Sequence, residues 1–311
     1  MAARRPRSVL TFKAAPARVR VPATSANLGS AFDSAGLALT LYDEMIGVIT
    51  DEPGVTVDIS GEGADTLPRN AKHLVAKSMV AAFDAMGGQP RGFALVTANH
   101  IPHGRGLGSS SAAIVGGIVL ARALVVGGDQ LLPDHEALAL ASALEGHPDN
   151  VAATLLGGFT IAWTEGVGQA HSMLPLPGIV PVACIPHTAL ATKKARGLLP
   201  ESVPHADAAF NVARSALLVA ALTQDPSLLL VATDDKLHQQ QRREAMPRSL
   251  DLVARLREAG IPAAISGAGP TVLALTDRAG VERIPALAGA RFDVVPLDVD
   301  TTGATVVPLD A

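Results

Sequence analysis

The chain of 311 residues is short of several things, and each shortage excludes something. It has one cysteine, Cys184, so it can form neither an internal disulfide nor a cysteine-built metal site. That usage suits a reducing compartment, and a cytoplasmic location is expected. Aromatic residues make up only 3% of the chain, so the core must be aliphatic and rich in alanine. Charge of one sign is not in excess either. A formal net charge of −4 argues against nucleic acid or an anionic membrane as the main partner. The apolar stretch 112–126 is too short to span a bilayer, carries Arg122 and is bounded by glycines, which predicts a buried helix. The opening Met1-Ala2-Ala3-Arg4-Arg5-Pro6-Arg7 lacks the apolar core of a secretory signal, and residues 1–15 are expected to form a flexible tail. There is no internal repeat and no low-complexity tract.

What is present is 48% hydrophobic residue, enough to build a substantial core in one large domain or two ordinary ones. Residues 18–22, 36–42, 46–49 and 55–59 read as strands, with a turn at Glu52-Pro53-Gly54, and suggest one antiparallel sheet. Residues 70–86 carry a helical stripe of Leu74, Val75, Met79, Val80 and Phe83, stopped by Gly87-Gly88. A strand is expected at 91–97, helices at 112–126, 133–144 and 151–156, and a strand at 157–163. The polar, glycine-bearing stretch 164–169 suggests a boundary, giving a tail over 1–15, an N-terminal domain over 16–168 and a C-terminal domain over 169–311. Beyond it lie a strand at 179–185, a short helix or loop at 192–199, and helices at 206–222, 226–233 and 248–259. A glycine turn between two strands follows at 263–275, then a last strand at 291–297. Strand runs mixed with helices favour an α+β fold over a doubly wound parallel sheet.

The most informative stretch is Pro102-His103-Gly104-Arg105-Gly106-Leu107-Gly108-Ser109-Ser110-Ser111. A strand precedes it and a small-residue helix follows it. Three glycines at alternate positions let backbone N–H groups approach an anion, and the helix N-terminus adds partial positive charge. Phosphate is the obvious candidate. The serines can cap the helix or offer hydroxyls to a metal on that phosphate. No lysine follows the last glycine, which excludes a Walker-type loop, and the match to a dinucleotide fingerprint is weak.

This stretch resembles the nucleotide-binding motif of the GHMP small-molecule kinases. Two further segments agree in the expected order: Val21-Pro22-Ala23-Thr24-Ser25-Ala26-Asn27-Leu28-Gly29 with Phe32-Asp33, and Ile265-Ser266-Gly267-Ala268-Gly269-Pro270-Thr271. Together with Glu145-Gly146-His147-Pro148-Asp149-Asn150, they are most similar to the homoserine kinase branch in its actinobacterial form. The resemblance spans residues 18–275. Ser30-Ala31 stands where that branch usually has Pro-Gly, while the spacing of Asn27, Phe32 and Asp33 is kept.

The resemblance implies a two-domain GHMP kinase fold, with an N-terminal domain like ribosomal protein S5 domain 2, a ferredoxin-like C-terminal domain, and ATP bound between them. It implies phosphorylation of the side-chain hydroxyl of L-homoserine on the way to threonine, with ATP and Mg²⁺. Residues 102–111 would wrap the nucleotide, and Ser110 and Glu145 would hold Mg²⁺. Either Asn70 or His73 would lie at the adenine pocket. Arg196 and Arg242 would bind the substrate carboxylate, because a planar guanidinium matches both oxygens; Arg243 competes with Arg242 for that place. Asp33 would bind the ammonium, and Asn27 and Asn150 would orient the hydroxyl. Thr192 would contact the γ-phosphate or the substrate. Asp149 is either a base or a brace of its loop, and His147 reads as a turn residue. Residues 266–269 would shape the pocket floor through backbone. His100, His103, His187 and His238 show no metal-ligand spacing. A homodimer is compatible with the β-rich early segments. The alternatives are another GHMP kinase, acting on mevalonate or a sugar, or a non-catalytic nucleotide or metabolite sensor on the same fold.

Overall fold

In a computed structural model, residues 10–309 are described. Two long strands, β1 (Ala17–Ala26) and β2 (Ala35–Thr50), run antiparallel and start the larger sheet. The stretch 36–49, expected as two strands, is one. β1 also continues through Ala23, Thr24 and Ser25, so the loop that follows is shorter than expected and begins at Asn27. A register shift between Pro22 and Ala23 re-aims the pair there. β3 (Gly54–Gly61) and β4 (Gly92–Asn99) pair in parallel, not antiparallel as expected, because the helix α1 (Leu74–Met86) carries the chain across between them. Residues 70–73, expected to be helical, form a turn, with His73 at the N-cap of α1.

The glycine loop leads into α2 (Ser109–Leu124), then α3 (Gly128–Leu131), α4 (Asp134–Glu145) and α5 (Asp149–Leu156). The helix α2 is buried on nearly all sides, from Ile114 and Val115 to Ile118, Leu120 and Leu124, which explains why its sequence is apolar all round. The hairpin β5 (Phe159–Glu165) and β6 (Val167–Met173) joins the same sheet beside β2. The boundary expected at 168/169 therefore falls inside a hairpin, and the polar stretch 164–169 is its tip, paired across a turn at Gly166.

The second sheet takes β7 (Val180–Pro186), followed by α6 (Thr192–Arg196), α7 (His205–Thr223), α8 (Leu229–Ala232) and α9 (Pro247–Glu258). It is completed by β8 (Ala263–Ile265) and β9 (Val272–Thr276), then α10 (Arg278–Val281), α11 (Ile284–Ala288) and β10 (Phe292–Pro296). Its strands are all antiparallel, in the order β10-β7-β9-β8. Numbered within this unit, that is 4-1-3-2 with helices between, the ferredoxin-like arrangement expected. The chain then returns: β11 (Thr305–Val307) pairs with β1 at the edge of the first sheet, whose order is β11-β1-β2-β4-β3. The tail after the last expected strand is thus part of the first body.

Two hydrophobic clusters result: a large one under the first sheet that extends to Ala183, Ile185, Leu273 and Leu275 of the second, and a smaller one within the second unit. The few aromatics are placed economically, with Phe83 packed edge-on between Phe12 and Phe93. Leu10 is buried and Phe12 bridges to Val125, so residues 10–13 belong to the packed body although a tail was expected over 1–15. Residues 1–9 of that expected tail lie outside the described residues. By length and composition α7 is long and apolar enough to cross a membrane. Here its Asn211 and Ser215 donate hydrogen bonds to the Ser30 carbonyl, and it backs the loop between β1 and β2.

Candidate active site

Three loops meet where the two sheets face each other, and backbone hydrogen bonds join them. The Thr24 N–H donates to the Leu107 carbonyl at 3.0 Å, the Thr271 N–H to Arg105 at 3.1 Å, and the Gly267 N–H to Ala26 at 3.0 Å. The Ser266 hydroxyl donates to the Gly106 carbonyl at 2.6 Å. This contact explains the alternate glycines better than phosphate alone. A Cβ on Gly106 (φ +79°) would lie 2.3 Å from the Ser266 carbonyl oxygen, and one on Gly108 (φ +74°) would lie 2.0 Å from Thr24 Oγ1. Any side chain at either position would separate the motifs.

Gly108 occupies the N-cap of α2 in a left-handed conformation, with no side-chain cap. The serines therefore do not cap the helix as expected. They form its first turn, where backbone N–H groups lack intrahelical acceptors. Their hydroxyls are committed elsewhere. Ser110 and Ser111 both donate to Glu145 Oε1, at 2.6 and 3.1 Å. This is a small set of hard oxygens beside a phosphate-type loop. Among the described residues no group of three or more His, Cys, Asp or Glu side chains could hold a metal by itself. One carboxylate with hydroxyls fits a cation such as Mg²⁺, which takes most of its ligands from phosphates and water.

Behind this loop lies a cleft, lined on the donor side by Gly104, Gly106, Gly108, Ser109, Ser110, Ser111 and Glu145. The other flanks of the expected nucleotide loop turn away. Leu107 is buried, Arg105 donates to the His187 carbonyl at 3.0 Å, and Pro102 and His103 do not line the cleft. Neither does Asn70, which is exposed with its Oδ1 accepting from the Lys72 N–H, nor His73, which is buried with both ring nitrogens unpartnered.

The opposite wall is cationic. Arg196, at the end of α6, makes a bidentate pair with Asp33 at 3.0 and 2.7 Å. The Asp33 hydrogen bond is the largest influence raising its pKa. Arg242 also lines the cleft, while Arg243 turns outward to Gln240 and Asp251. Burial, and then the charge of Arg196, push the Arg242 pKa down to about 10. Both guanidiniums lie over the Phe32 ring, Arg196 at 5.8 Å and Arg242 at 5.6 Å from its centroid. Asn27 (φ +71°) braces this loop. Its Oδ1 accepts from the Asp33 N–H and its Nδ2 donates to the Gly267 carbonyl, both at 2.9 Å.

Between the walls, at the start of α5, sit Asp149 and Asn150. Asp149 Oδ1 accepts from the Asn150 N–H at 2.8 Å and meets His147 Nδ1, and Asn150 Oδ1 accepts from Thr24 Oγ1 at 2.9 Å. Asp149 is 2% exposed. These bonds brace the Glu145–Asn150 turn. Burial works to lower the His147 pKa, but the Asp149 hydrogen bond and charge outweigh it and raise the pKa overall. Thr192 closes the cleft from α6. Phe32, not among the expected site residues, and His147, expected as a turn residue, both line the cleft. The signal for Phe32 was a bulky ring, rare in this chain, inside a small polar loop.

Family models for the "GHMP kinases N terminal domain" and the "GHMP kinases C terminal" match residues 73–158 and 213–287. A homoserine kinase of Streptomyces avermitilis is 58% identical over 301 residues, covering 96% of this chain and 98% of that one. One of Clavibacter michiganensis is 49% identical over 94% of each chain. The chain belongs to the homoserine kinase family. Among solved structures, the homoserine kinase of Cytophaga hutchinsonii superposes with a TM-score of 0.83 at 27% identity, over 96% of this chain and 98% of that one. The two-domain GHMP kinase fold and the identity of the chain as a kinase follow from this membership. The three segments that resemble the family's motifs are the ones that meet at the cleft.

Proposed function

We propose that this cleft transfers the γ-phosphoryl group of ATP to the side-chain hydroxyl of L-homoserine, giving O-phospho-L-homoserine. The observation that carries the reading is the match of nearly the whole chain to homoserine kinases at 58% identity. The site makes chemical sense of it. One wall is a helix N-terminus with a glycine loop, suited to a polyphosphate. The other holds two guanidiniums and a carboxylate, the complement of an amino acid's carboxylate and ammonium. Mevalonate and sugars lack that pair of charges.

In this reading, backbone groups of 104–111 hold the phosphates, and Ser110 and Glu145 would hold Mg²⁺, which neutralises phosphate charge when bound. Asn70 and His73 are the two residues proposed at the adenine; Asn70 is exposed, whereas the His73 ring nitrogens are buried out of a ligand's direct reach. Arg196 and Arg242 take the substrate carboxylate and Asp33 its ammonium. That aims the hydroxyl at the segment containing Asn27, Asn150 and Thr192. The hydroxyl oxygen bonds to the γ-phosphorus, the bond to the ADP oxygen breaks, and the hydroxyl proton leaves. A loose transition state asks little of a base. Asp149, committed to His147 and Asn150, acts as a brace.

Two measurements test this. An ADP-release assay across homoserine, mevalonate, galactose and shikimate should show turnover with homoserine; turnover with another acceptor instead would sink the proposal. Glu145→Gln should lower kcat about 100-fold or more, since a metal at the phosphates contributes several kcal/mol to the transition state. An unchanged kcat would refute the role given to Glu145.

A further inference from the structure

Arg242 is a cation held almost out of water, with 1% of its surface exposed. No carboxylate among the described residues accepts a hydrogen bond from it. Its Nε donates to the Ala195 carbonyl at 3.2 Å, and its Nη1 meets the Gly267 carbonyl at 3.3 Å and His238 Nδ1 at 3.1 Å. Nη2 makes no hydrogen bond among the described residues, and the side chain lines the cleft. A guanidinium only donates, so His238 Nδ1 must be the unprotonated nitrogen. The other ring nitrogen, Nε2, lies 2.7 Å from the Gly29 carbonyl, which only accepts. The two contacts together admit one state of the ring: neutral, with its proton on Nε2.

The surroundings hold the ring in that place. It is fully buried and stacks on Phe32, with centroids 5.0 Å apart. The backbone N–H groups of Leu237, His238 and Gln239 all donate to the Asp235 carboxylate, which also accepts from Asn211 Nδ2 of α7. The charged groups facing the ring are Asp235, Arg242 and Asp33. Burial, the largest influence, lowers its pKa and keeps it neutral.

We propose that His238 is a positioning residue for substrate recognition, its Nδ1 turning the Arg242 guanidinium so that the Nη2 N–H pair faces the cleft for the substrate carboxylate. The proposal rests on the assignment of Arg242 as a carboxylate ligand. Histidine is suited to the task because only one ring nitrogen can accept while the other donates. Loss of the acceptor leaves Nη1 with one carbonyl and lets the fork rotate.

Kinetics on the full chain test it with His238→Gln, His238→Asn and Arg242→Lys. Asparagine places an amide oxygen where Nδ1 stood, keeping the acceptor. Glutamine places an amide nitrogen near Nε2 and keeps only the donor to Gly29. His238→Gln should raise the homoserine KM about 10- to 100-fold, the span of one lost hydrogen bond to a charged group, with ATP KM nearly unchanged. His238→Asn should leave both close to their starting values. Preference for homoserine over 3-aminopropan-1-ol, which is homoserine without its carboxylate, should fall in the Gln variant and persist in the Asn variant. A parallel rise of both KM values, or an unchanged preference in the Gln variant, overturns the proposal. An unchanged homoserine KM in Arg242→Lys overturns the carboxylate assignment instead. Should His238→Gln fail to fold, ¹⁵N NMR of the unsubstituted protein decides: the proton is expected on Nε2 with and without homoserine, and a proton on Nδ1 overturns the proposal.

Discussion

The Asp33–Arg196 pair joins the first loop to α6 before any substrate arrives, and Asp33→Asn separates its structural worth from its catalytic one. Both side chains are about one-third exposed, at 34% and 36%, so solvent screens the pair. Its contribution to stability is therefore at most about 1 kcal/mol, even with bidentate geometry. Asp33 has φ +53°, and asparagine tolerates that left-handed conformation as well as aspartate does, so the substitution adds no backbone strain. The backbone bond from Asp33 N–H to Asn27 Oδ1 also survives. The melting temperature should fall by no more than about 2–4 °C. The effect on homoserine should be much larger. A hydrogen bond to an ionised partner is worth about 1.5–3 kcal/mol, so homoserine kcat/KM should fall roughly 10- to 100-fold. ATP KM should hardly move. Preference for homoserine over 4-hydroxybutyrate, which lacks the ammonium, should narrow by the same factor. The assay is ADP release coupled to NADH oxidation, beside thermal melts. A melting temperature lowered by more than about 5 °C, with homoserine and ATP constants shifting together, would show that the pair is a tether and would refute the ligand assignment.

Two other perturbations follow from the same geometry. Gly106→Ala should cost at least about 1–2 kcal/mol from its left-handed backbone alone, and more from the 2.3 Å approach to Ser266. Its ATP KM should rise more than its homoserine KM, and a variant with unaltered melting and ATP KM would contradict the tight-loop account. The raised pKa of His147 makes its stabilising contribution full below about pH 6.5, the unfolded value. That contribution is lost as pH rises through the higher folded value. His147→Gln should therefore flatten the stability–pH profile above pH 6.5, and an unchanged slope in denaturant melts would remove His147 as its source.

Much of the site was legible because its chemistry is local in sequence. The alternate glycines, the three serines and the Glu145–Asn150 turn carry their meaning in residue type and spacing, and these segments do line one cleft. Strand and helix positions were legible for the same reason, as periodicity is set by near neighbours. Partnerships across the chain were not. The parallel pairing of β3 with β4, the return of β11 to β1, and the hairpin that absorbs residues 164–169 depend on which distant surfaces bury each other.

The same division holds at the phosphate loop. Residue types alone suggested an anion at the N-terminus of α2, because glycine spacing and small residues before an apolar helix are enough to raise that expectation. Only the tertiary structure decided that Gly106 and Gly108 are also contact points for Ser266 and Thr24. It alone turned Arg242 inward and Arg243 outward, and set His238 against Arg242. Those outcomes depend on burial and on hydrogen bonds between groups more than two hundred residues apart, such as Asn27 to Gly267 and His238 to Gly29. No local pattern encodes them, since each partner acquires its meaning only when the fold removes water from both.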